Sequence, residues 1–367
     1  MGIPTGFLEA KIAMATEAVG EVIPNLDYAS VMQPIAGNAG GKNLLSMRQL
    51  DHGDIHGYIS EAYAIERVIQ DPRQRGVSLL PFVVLKAVMR QPSTRTAGSM
   101  VTAINKLGGT ADLISGMTSS SEAKGESLAD SWIAFATQAD IIGTRTAEDN
   151  GPMYAARVIA EAASQDQLWQ NVPVINLGDG RNEHPTQALG DLFTVHKEFD
   201  KLEDLKIVIV GDHERYRAHH SLMIGAATVG MSVVAVESKA APVPHEYVDL
   251  LGDKLTITPD LDAAMSDADI LYIGRNPDEY TGEEKTEKRR SKKLAKDYES
   301  WVVDLDRIQQ MSPDAIVLHP RPRRNELHPS VDSDPRMRDV QQMENMIPMR
   351  MAIIAKHLGK SISGSLN

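Results

Sequence analysis

The chain has 367 residues, 42% of them hydrophobic and 24% charged, which is enough for about two domains and rules out disorder as the main state. Its 50 acidic residues outnumber 38 basic ones, and the net charge of -12 repels a phosphate backbone, so nucleic acid is not an expected partner. With no cysteine, disulfides, thiolate zinc sites and cysteine nucleophiles are excluded, leaving oxygen, nitrogen or bound ligands for any catalysis.

Short apolar runs alternate with amphipathic stretches, as in parallel strands joined by crossover helices. Segment 37–42 reads as a flexible loop and 53–70 as a helix. Strand 79–88 leads to helix 96–107, strand 111–115 to helix 126–139, strand 140–145 to helix 152–163, and strand 172–178 to helix 185–199. A second group follows, with strands 206–211, 231–237, 269–274 and 315–319 and a helix at 217–229. The charged run 283–296 shows no useful apolar face and reads as a solvated helix or mobile loop. Helix 340–358 is apolar enough to dock on a core, with Pro348 expected to kink or interrupt it. The two strand groups, separated by the helix after His184, predict an α/β fold with two doubly wound parallel-sheet domains. No run nears the roughly 18 apolar residues of a membrane span, and the first twenty residues lack a signal pattern. The expectation is a cytoplasmic protein with no membrane partner.

Ser93-Thr94-Arg95-Thr96 lies where a strand gives way to a helix. Such a junction offers backbone N–H groups and the positive helix end to an anion, and here hydroxyls and a guanidinium are added. A phosphate fits; equally, a Ser or Thr there can simply cap the helix. His184-Pro185-Thr186-Gln187 opens another helix, with Pro at the first helical position and Gln187 on the same side as the histidine. The ring could donate to a carbonyl oxygen, or be structural. Arg145 and Arg275 end strands and Arg217 opens the helix after one. These are the positions where open α/β sheets bind ligands, although each arginine alone also reads as a surface ion pair. His319-Pro320-Arg321-Pro322-Arg323 closes a further strand. Gly-x-Gly-x-x-Gly and Walker patterns are missing from these strands, so dinucleotide and nucleotide binding lose their sequence support.

In this order and spacing, the three motifs resemble the aspartate and ornithine carbamoyltransferase family from about Leu44 to Leu358, and the segment from Ser120 to Asp130 resembles that family's mobile loop. The match is closer to the aspartate branch: Lys124 corresponds to its loop lysine, and Arg217 and Arg275 to its carboxylate-binding arginines. The ornithine branch's His-Cys-Leu-Pro motif cannot occur in a chain without cysteine.

The resemblance implies a carbamoyl-phosphate-binding domain over 1–186, completed by a C-terminal helix at about 338–360 that packs back on it, and an aspartate-binding domain over 187–337. Ser93, Thr94, Arg95 and Thr96 would hold the phosphate of carbamoyl phosphate, Arg145 and His184 would donate toward its carbonyl, and Gln187 would hold the carbamoyl amide. Ser120 and Lys124 would reach a neighbouring subunit's site, implying a homotrimer, and with Arg217 and Arg275 would bind L-aspartate. The implied reaction gives N-carbamoyl-L-aspartate and phosphate for pyrimidine synthesis and needs no metal or cofactor. The resemblance is also compatible with assembly with regulatory chains.

The chain departs from the family pattern at four places. Ala97 replaces an arginine, Asn276-Pro277 replaces a stretch that carries a glutamine, Arg321 replaces a leucine, and Tyr216 replaces a glycine. The last three bear on the acceptor, so a different amino-acid acceptor, or a catalytically idle scaffold, remain alternatives.

Overall fold

A computed structural model describes residues 31–35, 37, 39–116, 126–275 and 285–363, with the backbone alone over 285–291. The chain forms two compact units: residues 1–190 with 346–367, and residues 191–345.

Unit 1 is built on four parallel strands, β1 (Val84–Met89), β2 (Thr110–Ser115), β3 (Ile141–Thr146) and β4 (Val174–Asp179), in the order β2-β1-β3-β4. Helix α1 (His52–Ile69) precedes them; α2 (Thr94–Lys106), α3 (Leu128–Ala136) and α4 (Gly151–Ser164) are the crossovers, and α5 (Pro185–Phe199) follows β4. Apolar residues of β1, β3, β4, α3 and α4 close one core, with Trp132, Ile142, Tyr154 and Val174 fully buried. Strand β1 starts five residues later than the sequence predicts. Leu79 and Leu80 donate instead to the Leu107 carbonyl, and Pro81 has no N–H to give a sheet. Phe82 then turns outward at φ 69° and 94% exposure.

Unit 2 carries β5 (Lys206–Val210), α6 (Arg217–Thr228), β6 (Ser232–Val236), α7 (His245–Leu251), β7 (Leu255–Thr258), α8 (Leu261–Met265), β8 (Ile270–Ile273), α9 (Lys285–Ser300), α10 (Leu305–Ile308) and β9 (Ile316–Leu318). Its five strands are all parallel in the order β7-β6-β5-β8-β9. The edge strand β7 escapes the sequence reading because it is only four residues long and largely exposed. From Lys285 the charged run is part of helix α9, and Leu294 within it is buried together with Tyr298 and Trp301 just beyond residue 296, so the buried face falls mostly outside the run.

The last helix, α11 (Asp339–His357), runs unbroken through Pro348. Met349, Met351, Ala352, Ile353 and Ile354 are fully buried beside it, and that burial outweighs the one backbone bond proline removes. As expected, its C-terminal part packs on unit 1: Arg350 donates to the Thr96 carbonyl at 3.4 Å, and His357 meets Tyr58 at 2.7 Å. Among the described residues, no helix is long and apolar enough to cross a membrane.

Candidate active site

In each sheet the chain leaves one strand toward one edge and returns to start toward the other, between β1 and β3 in unit 1 and between β5 and β8 in unit 2. At such switch points the loops beyond the carboxyl ends diverge and leave a crevice for ligands.

Three groups of predicted residues converge on the strand ends of unit 1. Ser93 follows β1 and is the N-cap of α2 in extended conformation, yet its side chain makes no capping bond. The simple capping role is thus not what its hydroxyl does. Thr94 and Arg95 are exposed, while Thr96 and Ala97 are buried in the first turn. Arg145, paired in register with Met89 of β1, extends a guanidinium nitrogen to within 3.5 Å of the Leu177 carbonyl on β4. Its own carbonyl accepts from the Gln91 N–H at 3.1 Å, which ties the β1 exit to β3. His184 stands beyond the end of β4, buried at the start of α5, with Nδ1 3.4 Å from the Thr186 hydroxyl; its carbonyl accepts from the half-buried Gln187 at 2.9 Å. The strands carrying these groups are neighbours in the order β1-β3-β4, about 4.8 Å apart, so hydroxyls, an amide, a histidine and two arginines share one edge.

Supporting residues were not evident from sequence. Glu183, buried beside His184, accepts from the Met47 N–H at 2.9 Å and from the Ser46 hydroxyl at 2.5 Å. Asp179 accepts from Asn150 N–H at 2.5 Å and so fixes the turn after β3. Buried carboxylates with such partners carry no motif, because the donors come from segments more than 25 residues away.

Unit 2 places Arg217 in the first turn of α6, after β5, and Arg275 just beyond β8. Strand β8 adjoins β5, and Gly274 continues that pairing by donating to Val210 at 2.9 Å. The loop leading to Arg217 is fixed by Asp212, whose carboxylate accepts from the Glu214 and Arg215 N–H groups at 3.1 and 3.0 Å and pairs with the Arg215 side chain at 2.7 Å. The Tyr298 hydroxyl accepts from Asp212 N–H at 2.9 Å and donates to the Arg275 carbonyl at 3.1 Å, joining the two strand exits.

Beyond β9, burial pushes the His319 imidazole below its ordinary range, and it bonds Glu326 at 2.9 Å. Arg321 pairs with Asp339 at the start of α11, so the residue that departs from the family pattern has its side chain committed within unit 2. Ser120, Lys124, Asn276 and Pro277 lie outside the described residues.

Two doubly wound units with arginines beyond their central strands define an α/β protein for small anionic ligands. The family model for the aspartate/ornithine carbamoyltransferase carbamoyl-P binding domain matches residues 42–197, and that for the Asp/Orn binding domain matches residues 203–356. The aspartate carbamoyltransferase catalytic subunit of Archaeoglobus fulgidus is 32% identical over 86% of this chain and 98% of its own. The structure of aspartate transcarbamoylase from Trypanosoma cruzi in complex with carbamoyl aspartate and phosphate superposes with a TM-score of 0.79 at 29% identity, covering 92% of this chain and all of the other. The same enzyme in complex with N-(phosphonacetyl)-L-aspartic acid gives a TM-score of 0.77 at 28% identity over 90% of this chain and 99% of the other. The chain belongs to the aspartate/ornithine carbamoyltransferase family.

Proposed function

We propose that the chain transfers the carbamoyl group of carbamoyl phosphate to the α-amino group of L-aspartate, in the cytoplasm and as a step of pyrimidine synthesis. Residues 1–190 with the C-terminal helix hold carbamoyl phosphate, and residues 191–345 hold the acceptor. The single observation that carries this reading is the coincidence of motif and topology: Ser93–Thr96 and Arg145 stand at the carboxyl ends of β1 and β3, and Arg217 and Arg275 at those of β5 and β8, the strand pairs that flank the two switch points, with His184 beyond the neighbouring β4.

In this reading Ser93, Thr94, Arg95 and Thr96 take the phosphate through hydroxyls, the helix start and a guanidinium. The Thr186 hydroxyl lies 3.4 Å from His184 Nδ1, and in the tautomer that accepts there Nε2 carries the proton and donates it, with Arg145, toward the carbamoyl oxygen. Gln187 holds the carbamoyl amide. The amino nitrogen forms a bond to the carbonyl carbon and loses a proton, and the carbon–oxygen bond to phosphate breaks with its electron pair leaving on phosphate. Each donor aimed at the oxyanion contributes about 2.7–4 kcal/mol. Arg217 and Arg275 bind the two carboxylates of aspartate.

Ser120 and Lys124 complete the site of a neighbouring subunit in a homotrimer. A feature of unit 1 supports a covered edge: β2, which leads directly to that loop, is an edge strand exposed on both faces, with Leu113 46% accessible.

A carbamoyl-transfer assay over a panel of amino acids tests the reading. Product is expected with L-aspartate well above glutamate, asparagine and ornithine. Transfer to another acceptor would keep the chemistry and replace aspartate, and no transfer at all would leave a scaffold.

A further inference from the structure

We propose that Tyr216 is a positioning residue for the acceptor: its ring, braced by His219, holds the Arg275 guanidinium at the end of β8 and so sets the affinity for a dicarboxylate. What Arg275 binds rests on the function proposed above; the arrangement of the side chains does not. Tyr216 is the N-cap residue of α6, directly before Arg217, and it makes no side-chain capping bond. The Arg275 guanidinium carbon lies 6.0 Å from the centre of its ring, within the range in which a cation is drawn to an aromatic face. The His219 ring also meets Tyr216 in an edge-to-face arrangement, with centroids 4.7 Å apart and planes at 79°.

Three further observations show that the stack is fixed in place. The Tyr216 N–H donates to Asp212 at 3.2 Å and its carbonyl accepts from His219 at 2.8 Å, so backbone bonds clamp both rings. Tyr298 bonds both the Asp212 N–H and the Arg275 carbonyl, which fixes the two loops against each other. Gly274 leaves the space that His219 fills, since a Cβ there would stand 2.1 Å from His219 Nε2.

His219 itself argues against simple space filling. It is fully buried, and neither ring nitrogen has a hydrogen-bond partner among the described residues. An apolar side chain would occupy that volume without the penalty of unsatisfied polar atoms. Burial also keeps the imidazole neutral, so no second positive charge lies under Arg275. A guanidinium drawn to a ring keeps N–H groups with which to pair a carboxylate in two parallel bonds, which an ammonium group does not offer.

The test measures steady-state kinetics of the full chain with Tyr216→Phe, which keeps the ring, and with Tyr216→Leu and Tyr216→Gln, which remove it. Removal of the ring is expected to raise the apparent KM for aspartate about five- to tenfold. The kcat at saturating aspartate and the KM for carbamoyl phosphate should stay within about twofold, the signature of lost ground-state and transition-state binding alike. Tyr216→Phe should match the wild type in all three constants. An unchanged aspartate KM in either folded ring-free variant overturns the proposal, and so does a Tyr216→Phe enzyme as impaired as the other two. If the wild type turns over aspartate and the variants equal it, this inference alone fails. If the wild type carbamoylates no acceptor, the proposed function fails and this role falls with it.

Discussion

Gly274 is a position where an absent side chain decides the local structure. A methyl group there would lie 2.1 Å from His219 Nε2 and 3.1 Å from the Tyr216 ring, and a fully buried ring flanked by Gly211 has little room to move aside. Gly274→Ala is therefore expected to destabilise unit 2 by about 1–3 kcal/mol, the usual cost of overpacking a core, and to weaken acceptor binding while leaving phosphate binding in place. Denaturant midpoints and a phosphate titration check both parts, and a variant of full stability and unchanged acceptor KM would contradict them. At this scale the sequence was informative wherever chemistry is written in consecutive residues, as in Ser93 to Thr96 and His184 to Gln187. It was silent on Glu183, Tyr298 and His219, whose surroundings, the Ser46 hydroxyl and Met47 N–H, the Asp212 N–H and the space left by Gly274, come from segments distant in sequence.

The elements follow from burial pattern, and their ends from turn chemistry that the pattern does not report. Strands β1, β3, β4, β5, β6 and β8 were legible as apolar runs because both of their faces are covered; β7, short and exposed at an edge, had no such run. Helix α11 shows the same principle with an ionisable group. His357 near its end accepts or donates at both nitrogens: Nδ1 is 2.6 Å from the Lys42 carbonyl and must donate, so in the neutral ring Nε2 accepts from the Tyr58 hydroxyl at 2.7 Å. Burial pushes this imidazole down to about 4 and that of His213 to about 3. An unfolded histidine takes up its proton near 6.5. Between those values the unfolded chain binds more protons than the folded one, so stability is full above about pH 6.5 and falls as the pH drops toward 4, by at most about 1.4 kcal/mol per pH unit for each histidine. Denaturation midpoints at a series of pH values should show this slope, and His357→Gln should make it shallower, leaving the His213 contribution. A stability constant from pH 7 to 5 would mean that these rings are not held neutral.

At the scale of the molecule, two separately cored units are joined in sequence by helices α5 and α11, each of which contributes residues to both units. A shared active site in a trimer makes a prediction that a self-contained subunit does not. Arg95→Ala chains and Lys124→Ala chains should each be inactive alone. In a mixed ring about one interface joins a native Arg95 to a native Lys124, so activity should reappear after dissociation and joint reassembly, at no more than about one site per trimer. Mixed rings, verified by mass, that stay as inactive as their parents would show that Lys124 does not serve a neighbour.

In the proposed function the Ser93–Thr96 site and the arginine pair of Arg217 and Arg275 serve one reaction. Calorimetric titration of the full chain with N-(phosphonacetyl)-L-aspartate tests this most directly, because one molecule carries both the phosphate mimic and the two carboxylates. Each charge-assisted arginine contact is worth about 1.5–3 kcal/mol, so Arg95→Ala and Arg275→Ala should each weaken binding by about tenfold or more, while inorganic phosphate loses affinity only in Arg95→Ala. Binding that falls with Arg95→Ala and is untouched by Arg275→Ala would contradict the claim, since the carboxylates would then be held elsewhere.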